Sequence, residues 1–495
     1  MGRPPVRAPT GSHSRPPAIL ARMATWDVIV VGSGAAGGVV AARLSENPAR
    51  RVLLLEAGPD FPDEAVLQPA FYSGGNTIGG WFAGVGAPTP QLDWGHVSEP
   101  LANGRRVNLF RGRLAGGSSM INASIWVRGR KADFDDWVAR GAVEWSWEKV
   151  LPWYERVEAE IPPRNYARDR WQPFAHAFEE AYQEIGFRPV EDLNRPDAWD
   201  GVVGPWPSNR RNEVRQGTLP TYIRAARPRP NFELRGDTLV DRVLLDGDRA
   251  VGVVTAAGEE LRARLVIVAG GVYGSPAVLQ RSGIGVADEL RAAGVDPRVE
   301  LPVGHGLRDH PQSLFFLKSP PALAQVGGPA FTVAARGDGF WSFPVPIDEE
   351  EGIVSLALGL NRQSPDGTVL IASADPAVPV VIDHRFQEVI ERGDFAVAHE
   401  IFLRLAASDA FRSRGLGGLD CDRPLGDILL ERLGVGYHPA SSCAIGKVVD
   451  NRLNVLGVEG LMVVDASVFP ENIANNLNMT CFMVGERAAA FVDEE

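Results

Sequence analysis

Hydrophobic residues along this chain gather into short uninterrupted runs and not into long amphipathic stretches. The first run, Trp26-Asp27-Val28-Ile29-Val30-Val31, is rich in β-branched residues and closes on a glycine. That is the pattern of a parallel strand covered on both faces. The helical stretch Gly38–Leu44 and a second strand, Arg51–Leu55, follow. Leu265-Val266-Ile267-Val268-Ala269 reads as a further core strand. Asn231–Arg235 predicts a strand, and Val240–Val253, with Asp246-Gly247 at its turn, predicts two antiparallel strands. Two less regular stretches, roughly 147–214 and 311–432, interrupt this order and carry alternating segments such as Gly352–Leu360 and Thr368–Ala372.

Between the first strand and first helix lies Gly32-Ser33-Gly34-Ala35-Ala36-Gly37, a GxGxxG. Gly32 permits a tight turn, Gly34 lets backbone approach a pyrophosphate, and Gly37 lets the helix pack on its strand. The helix N-terminus then offers amide groups to the phosphates. The second strand ends in Glu56-Ala57-Gly58, where Glu56 can accept hydrogen bonds from the hydroxyls of an adenosine ribose. Strand, turn, helix, strand and acid in this order predict a Rossmann-type dinucleotide site. The acid disfavours a 2′-phosphate but leaves NAD and FAD both open.

Composition narrows the partners. Hydrophobic residues make up 45% and charged residues 23% of 495, enough for a substantial core. The net charge is −12 with no basic stripe, which argues against nucleic acid as a partner. Three late cysteines, Cys421, Cys443 and Cys481, without CxxC or short Cys/His spacing, predict neither disulfide scaffold nor metal site and suit a reducing compartment. No apolar run approaches the roughly 18 residues of a membrane span, so a cytoplasmic protein is expected. Residues 1–22 are Pro/Arg-rich without the apolar stretch of a secretory signal, and read as a disordered extension upstream of Met23.

The segment Arg111-Gly112-Arg113-Leu114-Ala115-Gly116-Gly117-Ser118-Ser119-Met120-Ile121-Asn122 offers small residues and amides that could lie against a planar ring or a phosphate. Here the chain resembles the glucose-methanol-choline (GMC) oxidoreductases, FAD enzymes that oxidise alcohols. Gly112–Asn122 matches their first signature, with Ala115 where a larger aliphatic is usual. Gly271–Gly285 matches a second, departing at Val272, and Leu301–His310 resembles the family's VG-x-N-L-x-DH segment with Gly306 in place of Asn. Leu461–Pro470 resembles its closing strand and turn. The resemblance implies an FAD-binding domain built from 23–146, 215–310 and 433–495. An α+β substrate domain with an antiparallel sheet would span 147–214 and 311–432. It also implies cofactor contacts from Arg113, Gly116, Gly117, Ser118, Asn122, Val240, Asp465, Ala466, Asn478, Met479 and Thr480, beside those of Gly32–Gly37, Glu56 and Ala57. Some members tether FAD through a His just before the signature Asn. Ile121 stands there, so noncovalent FAD is expected.

Alcohol oxidation needs a base for the hydroxyl proton, and imidazole suits that at neutral pH. A second polar group is useful to hold the hydroxyl. The family pattern places the base at His438, in Tyr437-His438-Pro439-Ala440-Ser441, and the second group at Asn478 in Asn476-Leu477-Asn478-Met479-Thr480. Asn476 reads as a turn or capping residue, His310 as structural beside Asp309, and Cys443 as inert. The resemblance implies a small primary alcohol as substrate (aryl, furfuryl, choline-like or polyol) and O2 or another electron acceptor. Hydroxynitrile lyases and fatty-acid photodecarboxylases use the same scaffold for C–C cleavage. A NAD-dependent dehydrogenase explains only the first unit. The compact length from Met23 favours an open site, and Trp81, Phe82 and Trp94 are candidates for its lining. Oligomeric state is not legible.

Overall fold

The computed structural model describes residues 26–62, 92–325, 329, 331–362 and 366–494. The extension 1–22 and the candidate lining residues Trp81 and Phe82 lie outside the described residues.

The protein is α/β, and its described residues build two seven-stranded sheets. The first is parallel at its centre, in the spatial order Phe232–Arg235, Val52–Leu55, Trp26–Val31 and Glu260–Val268, with Leu461–Val463 beside the last. Val28–Val31 and Val52–Leu55 are fully buried, as expected of strands covered on both faces. Glu260–Val268 changes character along its length. Its first half alternates exposed and buried residues and pairs antiparallel with Arg249–Thr255. From Ala263 onward it pairs parallel with Trp26–Val31 and is buried from Val266 on. The outer half therefore faces water on one side, and the inner half on neither. Val240–Asp246 completes the sheet through the expected hairpin, with Gly247 at φ +61° in its turn.

The second sheet runs Gly434–Val435, Pro311–Lys318, Ile353–Leu360, Phe340–Asp348, Val333–Gly337, Val202–Pro205 and Arg188–Pro189, nearly all antiparallel. Two placements differ from the sequence reading. The strand at Thr368 (Gly367–Leu370) does not join this sheet but pairs with His305–Leu307 and Val381–Asp383 in a small separate one. Helix Trp147–Glu160, read as part of the second domain, packs on the C-terminal helix Asn478–Asp493. Tyr154 Oη lies 2.6 Å from Thr480 Oγ1, Arg156 Nε lies 3.2 Å from Glu486, and Trp145, just before the helix, meets Phe491 edge to face. Among the described residues no helix is long and apolar enough to cross a membrane.

One edge of the second sheet leads to the residues of the site. Asp309 and His310 lead into Pro311–Lys318, and Gly434–Val435 pairs with Pro311 and Gln312 before leading to His438.

Candidate active site

The nucleotide cradle follows from where a side chain could and could not stand. Gly32 has φ +97°, and a Cβ there would lie 2.3 Å from the Ala269 carbonyl oxygen; one at Gly37 would lie 2.0 Å from the Gly32 oxygen. Both must be glycine. A Cβ at Gly34 would meet nothing within 4 Å, so the surface in front of this residue is open, as approach to a pyrophosphate requires. Ala36 is buried at the N-cap of the first helix, while Ala35 and Ala57 are half-buried. The Gly116-Gly117 loop comes down on this turn: both glycines have positive φ, and a Cβ at Gly117 would sit 3.0 Å from Gly34 Cα.

Ser33 ties the pieces together. Its backbone N–H and its hydroxyl both donate to Glu56 (3.1 and 2.6 Å), and its Oγ accepts from Gly116 N. Gly58 N also donates to Glu56. Burial pushes the Glu56 carboxyl above its usual range, opposed by these donors. Ser118 Oγ accepts from Gly112 N, Asn122 Oδ1 accepts from Ser124 N, and Val240 is buried in the hairpin.

Several residues expected at the cofactor are engaged within the chain. Arg113 is exposed and lies over the Trp94 ring, which itself stacks on His96. Asp465 accepts from Gly271 N and Ser275 Oγ on one oxygen and from Ser467 N on the other. Its carboxylate thus fastens the helix Gly271–Arg281 to the last strand. The Ala466 carbonyl accepts from Ser441 N, Met479 is buried, and Thr480 bonds Tyr154. Asn478 opens the C-terminal helix with its Nδ2 buried and unpartnered. An open glycine surface and an orphaned buried donor at a helix N-terminus both fit a bound dinucleotide with carbonyl groups to satisfy.

His438 is gripped on all sides. Its N–H donates to Asp309 Oδ1 at 2.8 Å, and Asn472 Nδ2 donates to its carbonyl at 2.9 Å. The preceding Tyr437 sits at φ +62°, and Arg111 Nη1 donates to its carbonyl. That left-handed turn aims the imidazole, and a guanidinium holds it in place. The same Asp309 oxygen accepts from His310 N at 2.7 Å, so one carboxylate sets both histidines. The rings meet at Nδ1, 3.0 Å apart. A Cβ at Gly436 would lie 2.9 Å from His438 Nδ1 and 3.2 Å from Trp341, whose ring centre is 6.1 Å from that of His438.

The structure places a different asparagine beside His438 from the one the family pattern implies. Asn476 Nδ2, and not Asn478, lies 2.9 Å from His438 Nε2. Asn476 stands in the irregular segment before the helix, while Asn478 is already its first helical residue. Two asparagines two positions apart look alike in sequence; only the helix start separates them. His310, set aside as structural, also belongs to the cluster.

Desolvation governs the charges here. Burial lowers His438 well below the ordinary imidazole value, with His310 and Arg111 adding to it. Burial takes His310 down to about 4. Asp309 is pushed up to about 7 by burial, opposed by Arg111 and by the two backbone N–H groups it accepts. At neutral pH both imidazoles are uncharged bases.

Residues 26–312 and 363–485 match the two family models described as GMC oxidoreductase. The chain is 32% identical to an oxygen-dependent choline dehydrogenase of Ectopseudomonas mendocina, over 94% of this chain and 93% of that one. Pyridoxine 4-oxidase from Mesorbium loti has the same fold with a TM-score of 0.83 at 27% identity, covering 95% of this chain and all of that one. A fungal aryl-alcohol oxidase shares the fold at 20% identity, with a TM-score of 0.75 and coverage of 95% and 99%. The chain belongs to the GMC oxidoreductase family, whose cofactor is FAD and whose members act on CH–OH groups.

Proposed function

We propose that this protein oxidises a primary alcohol with an aromatic body to the aldehyde, using noncovalently bound FAD. The observation that carries the reading is the neutral His438 with Asn476 at its Nε2. With the alcohol between them, His438 Nε2 takes the hydroxyl proton, and the Asn476 N–H, turned from Nε2 to the hydroxyl oxygen, holds it so that the carbon faces the cofactor. Bound FAD would supply the acceptor for a hydride from that carbon. Residues Gly32–Gly37, Glu56, the Gly112–Asn122 loop and the N-terminus of the last helix would hold it. The cofactor unit consists of 23–146, 215–310 and 433–495, with helix Trp147–Glu160 added, and the second unit of the remainder of 147–214 with 311–432.

Trp341 beside His438 favours an aromatic body. The Arg111 cation acts on the same His438, and like charge disfavours a quaternary ammonium. Ile121 leaves no nucleophile for a tether at the family's position.

The test is an anaerobic spectrum of the holoenzyme in the dark with benzyl alcohol, furfuryl alcohol, glycerol and choline. Bleaching of the flavin band by the aromatic alcohols ahead of choline is expected; readmitting air then tells O2 from another acceptor. A flavin that no alcohol bleaches overturns the reading in favour of C–C cleavage chemistry. His438→Ala is expected to lower the reduction rate roughly 10²–10⁴-fold with flavin retained. On acid precipitation the yellow colour should leave with the supernatant, and colour in the pellet would show a covalent tether.

A further inference from the structure

We propose that His310 is a positioning residue that keeps His438 with its proton on Nδ1 and its lone pair on Nε2. The inference rests on the alcohol-oxidation reading given above.

A neutral imidazole carries one N–H and one lone pair, and its partners decide which nitrogen has which. Two neutral rings meeting Nδ1 to Nδ1 at 3.0 Å can bond only if one donates and the other accepts. The other contacts choose the direction. Asn476 Nδ2 is a donor only, so at 2.9 Å His438 Nε2 is the acceptor. The His438 proton is then on Nδ1, and His310 Nδ1 must accept it. On the far side of His310 the backbone of Ile473 and Asn361 favours a proton on the ring. Nε2 is buried there without a hydrogen-bond partner among the described residues, and a proton on it leaves Nδ1 bare.

The frame around the pair is rigid. Asp309 Oδ1 receives both backbone N–H groups, and Gly436 N donates to the His310 carbonyl at 2.7 Å. The charged groups acting on the two rings are Arg111 on His438 and Arg130 on His310, with Asp309 between their backbones. When His438 takes the alcohol proton at Nε2, its Nδ1–H becomes a stronger donor, and the waiting His310 lone pair stabilises the cation that forms. His310 touches neither alcohol nor cofactor in this scheme.

The experiment uses the holoenzyme and its anaerobic reduction by benzyl alcohol. His310→Leu keeps bulk and removes the acceptor; His310→Asn places an oxygen near the former Nδ1. The expected result for Leu is a reduction rate about tenfold to a hundredfold lower, part of the roughly 10²–10⁴ of a general base. Flavin content and apparent Kd should stay near wild type, and the acid limb of the rate–pH profile should move, because the His438 cation has lost its partner. Asn should recover most of the rate and return the limb. A Leu variant with the wild-type limb, or an Asn variant no better than Leu, overturns the proposal. Should Leu fail to fold, ¹⁵N-histidine spectra of the wild-type holoenzyme decide instead. A His438 resonance protonated on Nδ1 supports the proposal, and one protonated on Nε2 refutes it. If the wild type is not reduced by any alcohol, it is the functional reading that fails.

Discussion

At the scale of single residues, the site turns on which asparagine faces the base. Asn476 reaches His438 Nε2, whereas Asn478 has a buried donor with no partner in the chain. The two should separate experimentally. Asn476→Ala should slow flavin reduction roughly 10- to 100-fold without flavin loss, as removal of a group that orients the hydroxyl does. Asn478→Ala should act mainly on retention of FAD, because its amide has only the cofactor left to satisfy it. Stopped-flow reduction and the flavin-to-protein absorbance ratio distinguish the outcomes, and a reversed pattern would return the role to Asn478. The sequence made His438 legible through its Pro-Ala-Ser-Ser setting, but not its surroundings. Arg111, Asn472 and His310 hold it from 34 to more than 300 residues away, and no local spacing carries that information.

At the scale of elements, the opening strand–turn–helix was readable because each glycine has a separate physical cause. These causes predict different failures. At Gly34 a Cβ meets nothing within 4 Å, so Gly34→Ala should leave the cofactor-free protein as stable as wild type while weakening flavin binding. At Gly37, Gly37→Ala should instead destabilise the fold by about 1–3 kcal/mol, since the Cβ strikes the Gly32 oxygen. Thermal unfolding of the apoprotein, set beside its FAD titration, checks both. Equal loss of stability in the two variants would show that Gly34 is there for packing. The strand at Thr368 escaped correct placement for a different reason. Alternation fixes which side chains are buried but not the partner strand, and here the partner is His305–Leu307. Helix Trp147–Glu160 lay within a stretch that reads only as less regular, and its docking on the last helix depends on Tyr154 meeting Thr480, 326 residues on.

At the scale of the whole molecule, the proposed catalytic pair joins two distant parts of the fold. His438 follows directly on the edge strand Gly434–Val435 of the second sheet, and Asn476 precedes the helix that caps the cofactor unit. The second sheet also brings Trp341 against the base, and one glycine decides how closely. On Ile353–Leu360, a Cβ at Gly359 would lie 2.5 Å from two Trp341 ring carbons and 2.9 Å from its Nε1. The indole therefore lies flat on Gly359 in the neighbouring strand, directly opposite in the register. Gly359→Ala must push Trp341 out of that seat, where Phe343 is also stacked against the ring with centroids 5.5 Å apart. The expected result is a roughly tenfold higher apparent Kd for benzyl alcohol in anaerobic reduction, the size of a single lost pocket contact. The flavin content should be unchanged, and glycerol, with no ring to stack, should be affected far less. An equal effect on both alcohols would show that the change reaches His438 itself, since Trp341 and the imidazole share the space above Gly436. A benzyl alcohol response like that of the wild type would remove Trp341 from the substrate wall, and with it the argument for an aromatic body.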